Sequence, residues 1–179
     1  MKKTLLLVCL IMLLTAGRAA AASMFQLSLT PDIALHDRDT RIEGMSLNIW
    51  GENEQSSFAL GLVNGFKNQS EGAAIGLFNY SDGYTGFQFG LFMNYTNGSM
   101  LGWQVGICDY TVGTMQGVQI GGVNYAGNLK GLQLGLVNYA AAVASGIQIG
   151  IVNIIPTNEW FTRFPDQIAP AMFIFNWRF

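Results

Sequence analysis

The sequence predicts an all-β fold assembled from repeats of about 15 residues, and three observations carry that reading. First, the phrase GLQLGLVNY, Gly131 to Tyr139, keeps returning. It appears as GVQIGGVNY from Gly117, GIQIGIVN from Gly146, GWQVGICDY from Gly102 and GFQFGLFMNY from Gly86. Earlier copies are GAAIGLFNY from Gly72, FALGLVNG from Phe58 and a weaker GMSLNIWG from Gly44. Starts at Gly44, Ser57, Gly72, Gly86, Gly102, Gly117, Gly131 and Gly146 follow one another at steps of 13 to 16 residues, the mark of a repeat architecture. Second, Leu132, Leu134 and Leu136 alternate with Gln133 and Gly135, which puts leucines on one face of a strand and the polar or small residues on the other. Helical spacing of apolar residues is missing, and glycines at repeat positions 1 and 5 each cost a helix about 1 kcal/mol relative to alanine. Third, the links between copies are turn-forming: NQSE (Asn68 to Glu71), SDGY (Ser81 to Tyr84), TNGS (Thr96 to Ser99) and AGNLK (Ala126 to Lys130). Each repeat therefore reads as one strand of about nine residues and a tight turn.

Residues 1–22 read as a signal peptide. Lys2 and Lys3 form a charged start, Leu5 to Leu14 an apolar run too short to span a bilayer, and Ala20-Ala21-Ala22 a small-residue cleavage pattern. Residues 23–179 then form a single repeat-built β domain, with repeats over 44–153 and a closing strand over 171–179. Phe25, Leu27 and Leu29 alternate with Gln26 and Ser28 as a first strand; Thr30-Pro31 ends it, and Asp32 to Arg41 is a charged loop. After the repeats, Pro156 and the segment Thr157 to Pro170 form a longer irregular loop. The chain closes on AMFIFNWRF, where Phe173, Phe175, Trp177 and Phe179 alternate with Met172, Ile174, Asn176 and Arg178. One, eight and one strands make ten.

Two architectures accept this strand. One is a small antiparallel barrel of about ten strands in an outer membrane, its leucines toward lipid. Gln88, Gln104, Gln119, Gln133 and Gln148 would then line a lumen, with Tyr80, Tyr95, Tyr110, Tyr125 and Tyr139 near the interfaces. Phe175, Trp177 and Phe179 are candidates for an outer-membrane recognition strand. Closure also removes the exposed edges that such apolar strands present. The alternative is a parallel β-solenoid, in which glutamine stacks on glutamine, asparagine on asparagine, and leucine faces fill a thin interior. In that case the repeated Gln/Tyr face is a binding surface. The barrel is the leading expectation.

Charge narrows the partners. Without Lys2, Lys3 and Arg18 the 9 basic residues fall to 6 against 11 acidic ones, a formal charge of −5, and no basic patch points to nucleic acid. From Gly86 to Gly150 the only charged residues are Asp109 and Lys130, whereas a water-soluble domain has about a quarter of its residues charged. Such a middle suits a surface that is not mainly in water, or one made of amides and glycines.

Candidate chemistry is sparse. His36, the only histidine, stands near Asp37, Asp39 and Glu43, with no second His or Cys to complete a transition-metal site. Asp32, Asp37 and Asp39 lack the spacing and glycine of a calcium loop. Cys108 lies in GICDY; a nucleophile elbow wants glycine two residues later, where Tyr110 stands. As the only cysteine left in the exported chain it forms no internal disulfide. No catalytic residue, cofactor or metal is expected, and the chain reads as not an enzyme.

With the repeat G-[LVI]-Q-[LIV]-G-[LIV]-V-N-Y in hand, the chain resembles the leptospiral-type surface-repeat proteins of Gram-negative bacteria. The resemblance covers Gly44 to Asn153, and NEWFTRFP followed by FNWRF resembles the ending those proteins share. It implies an exported location at the outer membrane or cell surface. The expected partners are outer-membrane lipid and, for a barrel, the barrel-assembly machinery; the expected role is structural or that of a narrow channel, or, for a solenoid, an adhesion or scaffold module.

Overall fold

A computed structural model describes residues 22–179. The signal-peptide reading of residues 1–22 lies outside them except for Ala22. The strands are β1 (Ala22–Thr30), β2 (Ile33–Ala34), β3 (Arg41–Asn53), β4 (Phe58–Thr96), β5 (Met100–Ile154) and β6 (Ala171–Arg178). A straight strand of 55 residues, the length of β5, would run about 180 Å at ~3.3 Å per residue. Instead β4 and β5 wind, each coil lying on the one before. Gln119 reaches Gln104 fifteen residues earlier, and Gln133 reaches Gln119 fourteen residues earlier.

Pairing is parallel from β1 to β3, from β3 to β4 and from β4 to β5. Like positions meet: Gly86 opposes Gly102, Gln88 opposes Gln104 and Tyr95 opposes Tyr110. The fold is therefore all-β and a solenoid, which corrects the antiparallel barrel expected from strand length and apolarity. The physical reason lies in register. An amide column needs every copy to present the same position to the next, which parallel coils do and antiparallel neighbours do not. The sheet also stays open, with β2 and β6 at its two ends.

The links are corrected too. SDGY and AGNLK are strand inside β4 and β5, because pairing to the neighbouring coil continues around the corners; only Asn97–Ser99 interrupts it. The corner is made by the glycine at position 1. Gly72, Gly86, Gly102, Gly117 and Gly131 have φ between 110° and 141°. A Cβ on Gly117 would lie 2.0 Å from the Gly102 carbonyl oxygen of the coil beneath. Only glycine meets both demands. Position 5 is glycine for room: a Cβ on Gly135 would lie 2.5 Å from Nδ2 of Asn124.

An antiparallel strand stands at each end of the parallel stack. β2 pairs with β1, and the loop behind it is tied down by ion pairs of Arg38 with Asp32 and Glu52 and of Lys67 with Asp39. β6 pairs with the last coil, Gln148 opposing Asn176 and Ile149 opposing Phe175. The apolar interior is a thin column along one side of the coil, including Phe66, Tyr84, Met100, Met115, Leu129, Val143 and Ile155.

Candidate functional site

Along each copy, position 3 points in and positions 2, 4 and 6 point out. The inward set is the polar one. Gln88, Gln104, Gln119, Gln133 and Gln148 are all 0% exposed. They form one column in which each Nε2 donates to the Oε1 of the glutamine before it: Gln104 to Gln88 (3.0 Å), Gln119 to Gln104 (2.9 Å), Gln133 to Gln119 (2.8 Å) and Gln148 to Gln133 (2.8 Å). The second N–H of Gln119 goes to the Tyr125 carbonyl and that of Gln133 to the Tyr139 carbonyl. These glutamines present no surface to a ligand, and the interior they fill is packed rather than a lumen.

A second column runs the opposite way at position 8. Asn64 donates to Asn79, Asn79 to Asn94 and Asn94 to Asp109, at 2.7 to 2.9 Å. It resumes with Asn124 to Asn138 (2.7 Å) and Asn138 to Asn153 (2.8 Å). The break is at Asp109. Its Oδ2 and the Oδ1 of Asn124 are both buried without a partner, and both lie within 3.1 Å of the point a Cβ on Gly121 would take. Two acceptors thus face each other where every other step has a donor. A proton on Asp109 would supply one. Burial pushes the Asp109 carboxyl up to about 7, against the lowering pull of hydrogen bonds from Asn94 and the Ile120 amide.

The outward set is apolar. Trp103, Ile107, Leu136 and Ile151 are 51 to 62% exposed. The strip begins at Leu27 and Leu29 and continues into Phe175 and Trp177 of β6, whose rings stack at 5.6 Å. Its N-terminal end is dished, an open concavity of about 550 Å³ walled by Leu27, Leu29, Leu47, Ile49, Leu60 and Leu62. Position 7 faces outward as well, as Phe78 and Val123 do at 44 and 47% exposure, so the chain turns a corner there; the copy from Gly86, one residue longer, bulges at Leu91 and Phe92. On the next side the position-9 tyrosines stack: Tyr95 on Tyr110 (5.7 Å), Tyr110 on Tyr125 (4.2 Å) and Tyr125 on Tyr139 (5.4 Å). Tyr80 instead donates its hydroxyl to Glu52 (2.6 Å) and accepts from the Trp50 indole. Burial, with Glu52 beside it, raises that hydroxyl to about 12.

The solenoid reading placed leucines inside, and the structure places them outside. Alternation divides a strand into two faces without saying which is buried. Transfer cost points to glutamine outside, but here the amides satisfy one another and so are buried at little cost. The candidate recognition strand falls on β6, which caps the stack: Phe175 lies on the apolar strip beside Trp177, and Phe179 is exposed next to the Asp166 loop.

His36 and Cys108 are not brought together. Ser23 Oγ engages His36 Nε2 at 2.9 Å on the first strand, and Gln26 brackets the His36 backbone. Cys108 is half-buried on the copy from Gly102, where burial, with Asp109 next to it, pushes its thiol up, opposite to an activated nucleophile. Among the described residues no cluster of three His, Cys, Asp or Glu side chains could hold a metal ion. Compared with protein-family models, with curated proteins and with solved structures, the chain matches none.

Proposed function

We propose that the chain is an exported, non-enzymatic β-solenoid that serves as a scaffold or adhesion module at the bacterial surface. One observation carries this reading: the coil stack presents an apolar strip that runs from Leu27 to Phe175, narrowing at Gly122, while enclosing its glutamines. Contiguous apolar patches beyond roughly 300–600 Å² mark interaction surfaces rather than ordinary protein exterior. A stack whose coils are cross-linked by in-register amides holds such a surface in place, which suits a scaffold. The polar groups suit that role as well. Asp109 is enclosed by amides, and burial together with Asp109 pushes the Cys108 thiol up, away from a nucleophile.

Export is supported by the charged, apolar and small-residue order of residues 1–22 and by the resemblance of the repeat to bacterial surface-repeat proteins. Fractionation after expression in a Gram-negative host tests this, with the mass of the purified chain reporting removal of the N-terminal segment. The expected outcome is recovery with the envelope, a shortened chain, and identical gel mobility with and without boiling in detergent. Full-length protein in the cytoplasm would overturn the reading, and a heat-modifiable band would argue for a closed barrel instead of a solenoid.

A further inference from the structure

We propose that the apolar strip at repeat positions 2, 4 and 6 is the interface of an antiparallel homodimer, two copies packed face to face. This deepens the scaffold reading by naming the partner of the strip on which that reading rests.

Area comes first. The exposed side chains of the strip leave about 100 Å² each uncovered and sum to on the order of 1,500 Å², against roughly 800 Å² per partner in a standard stable interface. Shape comes second. Ten rungs about 4.8 Å apart make a strip roughly 45 Å long, and two such sheets can face each other at about 10 Å, as in a β-sandwich. The strip carries no charged side chain, so two copies meet without burying one.

Charge selects the orientation. Residues 22–82 hold eight acidic side chains against three basic ones, while residues 83–179 hold three of each. A two-fold axis along the stack would superpose the two acidic ends. An axis parallel to the strands, midway between the copies from Gly86 and Gly102, separates them. It sets Leu91 of one copy against Ile107 of the other and Leu62 against Leu136. It also brings Phe175 over Leu27, at the outer wall of the open dish, and Trp177 over Phe25. An anionic bilayer is the weaker occupant. Binding to it draws on basic side chains around the apolar area, and Arg38, Arg41 and Lys67 are paired with carboxylates.

Sedimentation of the exported, purified protein in buffer without detergent tests the proposal. A species of twice the chain mass is expected at micromolar concentration. Ile107→Glu and Leu91→Glu place a charge at the centre of the interface and should each weaken the dimer by about 100-fold or more. Both sites are exposed, so circular dichroism and the melting temperature of the monomer should hold, which separates lost pairing from lost folding. In a Cys108→Ser background, Leu62→Cys combined with Leu136→Cys should cross-link between chains, and Leu62→Cys alone should not. A monomer in buffer overturns the dimer; if that monomer binds vesicles of phosphatidylethanolamine and phosphatidylglycerol, the strip is a lipid surface. Cross-linking through Leu62→Cys alone overturns the antiparallel arrangement. None of these results bears on export, which fractionation decides separately.

Discussion

Asp109 is the residue at which the repeat departs from its own rule, and the departure has a measurable consequence. Its carboxyl is raised to about 7 by burial, from an ordinary value near 3.8. The folded state thus holds the proton more tightly than the unfolded chain. Unfolding free energy is therefore highest below about pH 4 on this account and falls as pH rises toward 7. At about 1.4 kcal/mol per unit the full effect is on the order of 4 kcal/mol. Asp109→Asn should remove this slope and raise stability at pH 8, because the new amide donates to Asn124 and closes the column. Urea unfolding of both proteins at pH 5 and pH 8 would show it; an unchanged slope would mean that the Asp109 carboxyl is not the source. Gly117 is the other decisive residue. Gly117→Ala combines a φ of 134° with a Cβ 2.0 Å from the Gly102 oxygen, and should destabilise by about 2–4 kcal/mol in the same assay.

The coil is the unit that repeats, and its interior explains why. Gln119 gives both hydrogens of its amide and receives one from Gln133, so a change there disturbs three coils at once. Gln119→Leu keeps the volume but leaves one N–H of Gln133 Nε2 without its acceptor and the Tyr125 carbonyl without the amide that donates to it, while Gln104 Oε1 keeps only the Thr111 hydroxyl. Each stranded buried group costs about 1–3 kcal/mol, so a loss of roughly 2–5 kcal/mol is expected by thermal or urea unfolding. A similar substitution at Gln116, exposed on the link, should change stability by less than about 0.5 kcal/mol. Equal effects at the two sites would show that the amide column does not hold the coils in register.

At the scale of the molecule, stability is a sum of coil-to-coil contacts between two antiparallel caps, so whole copies can be removed where fractions cannot. Deleting Gly117 to Lys130 brings Gln104 against Gln133 and Asp109 against Asn138, with position-1 glycines still stacked. The shortened chain should fold, with β-sheet circular dichroism and a lower melting temperature. Deleting seven of those residues shifts every later side chain out of its column and should abolish cooperative melting. Similar melts for the two deletions would contradict a register-locked stack.

The recurrence of G-x-Q-x-G-x-x-N-Y made the β-strand and the repeat legible without coordinates, since period-2 alternation is a local property. The stacked asparagines and glutamines were legible as a possibility. What the sequence could not decide was the direction of neighbouring strands, because antiparallel and parallel pairing use the same alternation. Nor could it decide which face of the strand is buried. Transfer free energy favours leucine inside, and that preference is overturned only when each Gln88-to-Gln148 amide finds its partner one coil away, a fact of register. The position-1 glycines were read as helix breakers and turn makers. Their positive φ and the neighbouring coil's carbonyl at Cβ distance exist only once the coils are stacked. Sequence therefore determined the repeat and its chemistry. Tertiary structure decided which side of it meets the outside, because the burial of an amide depends on a partner some fifteen residues away in the chain.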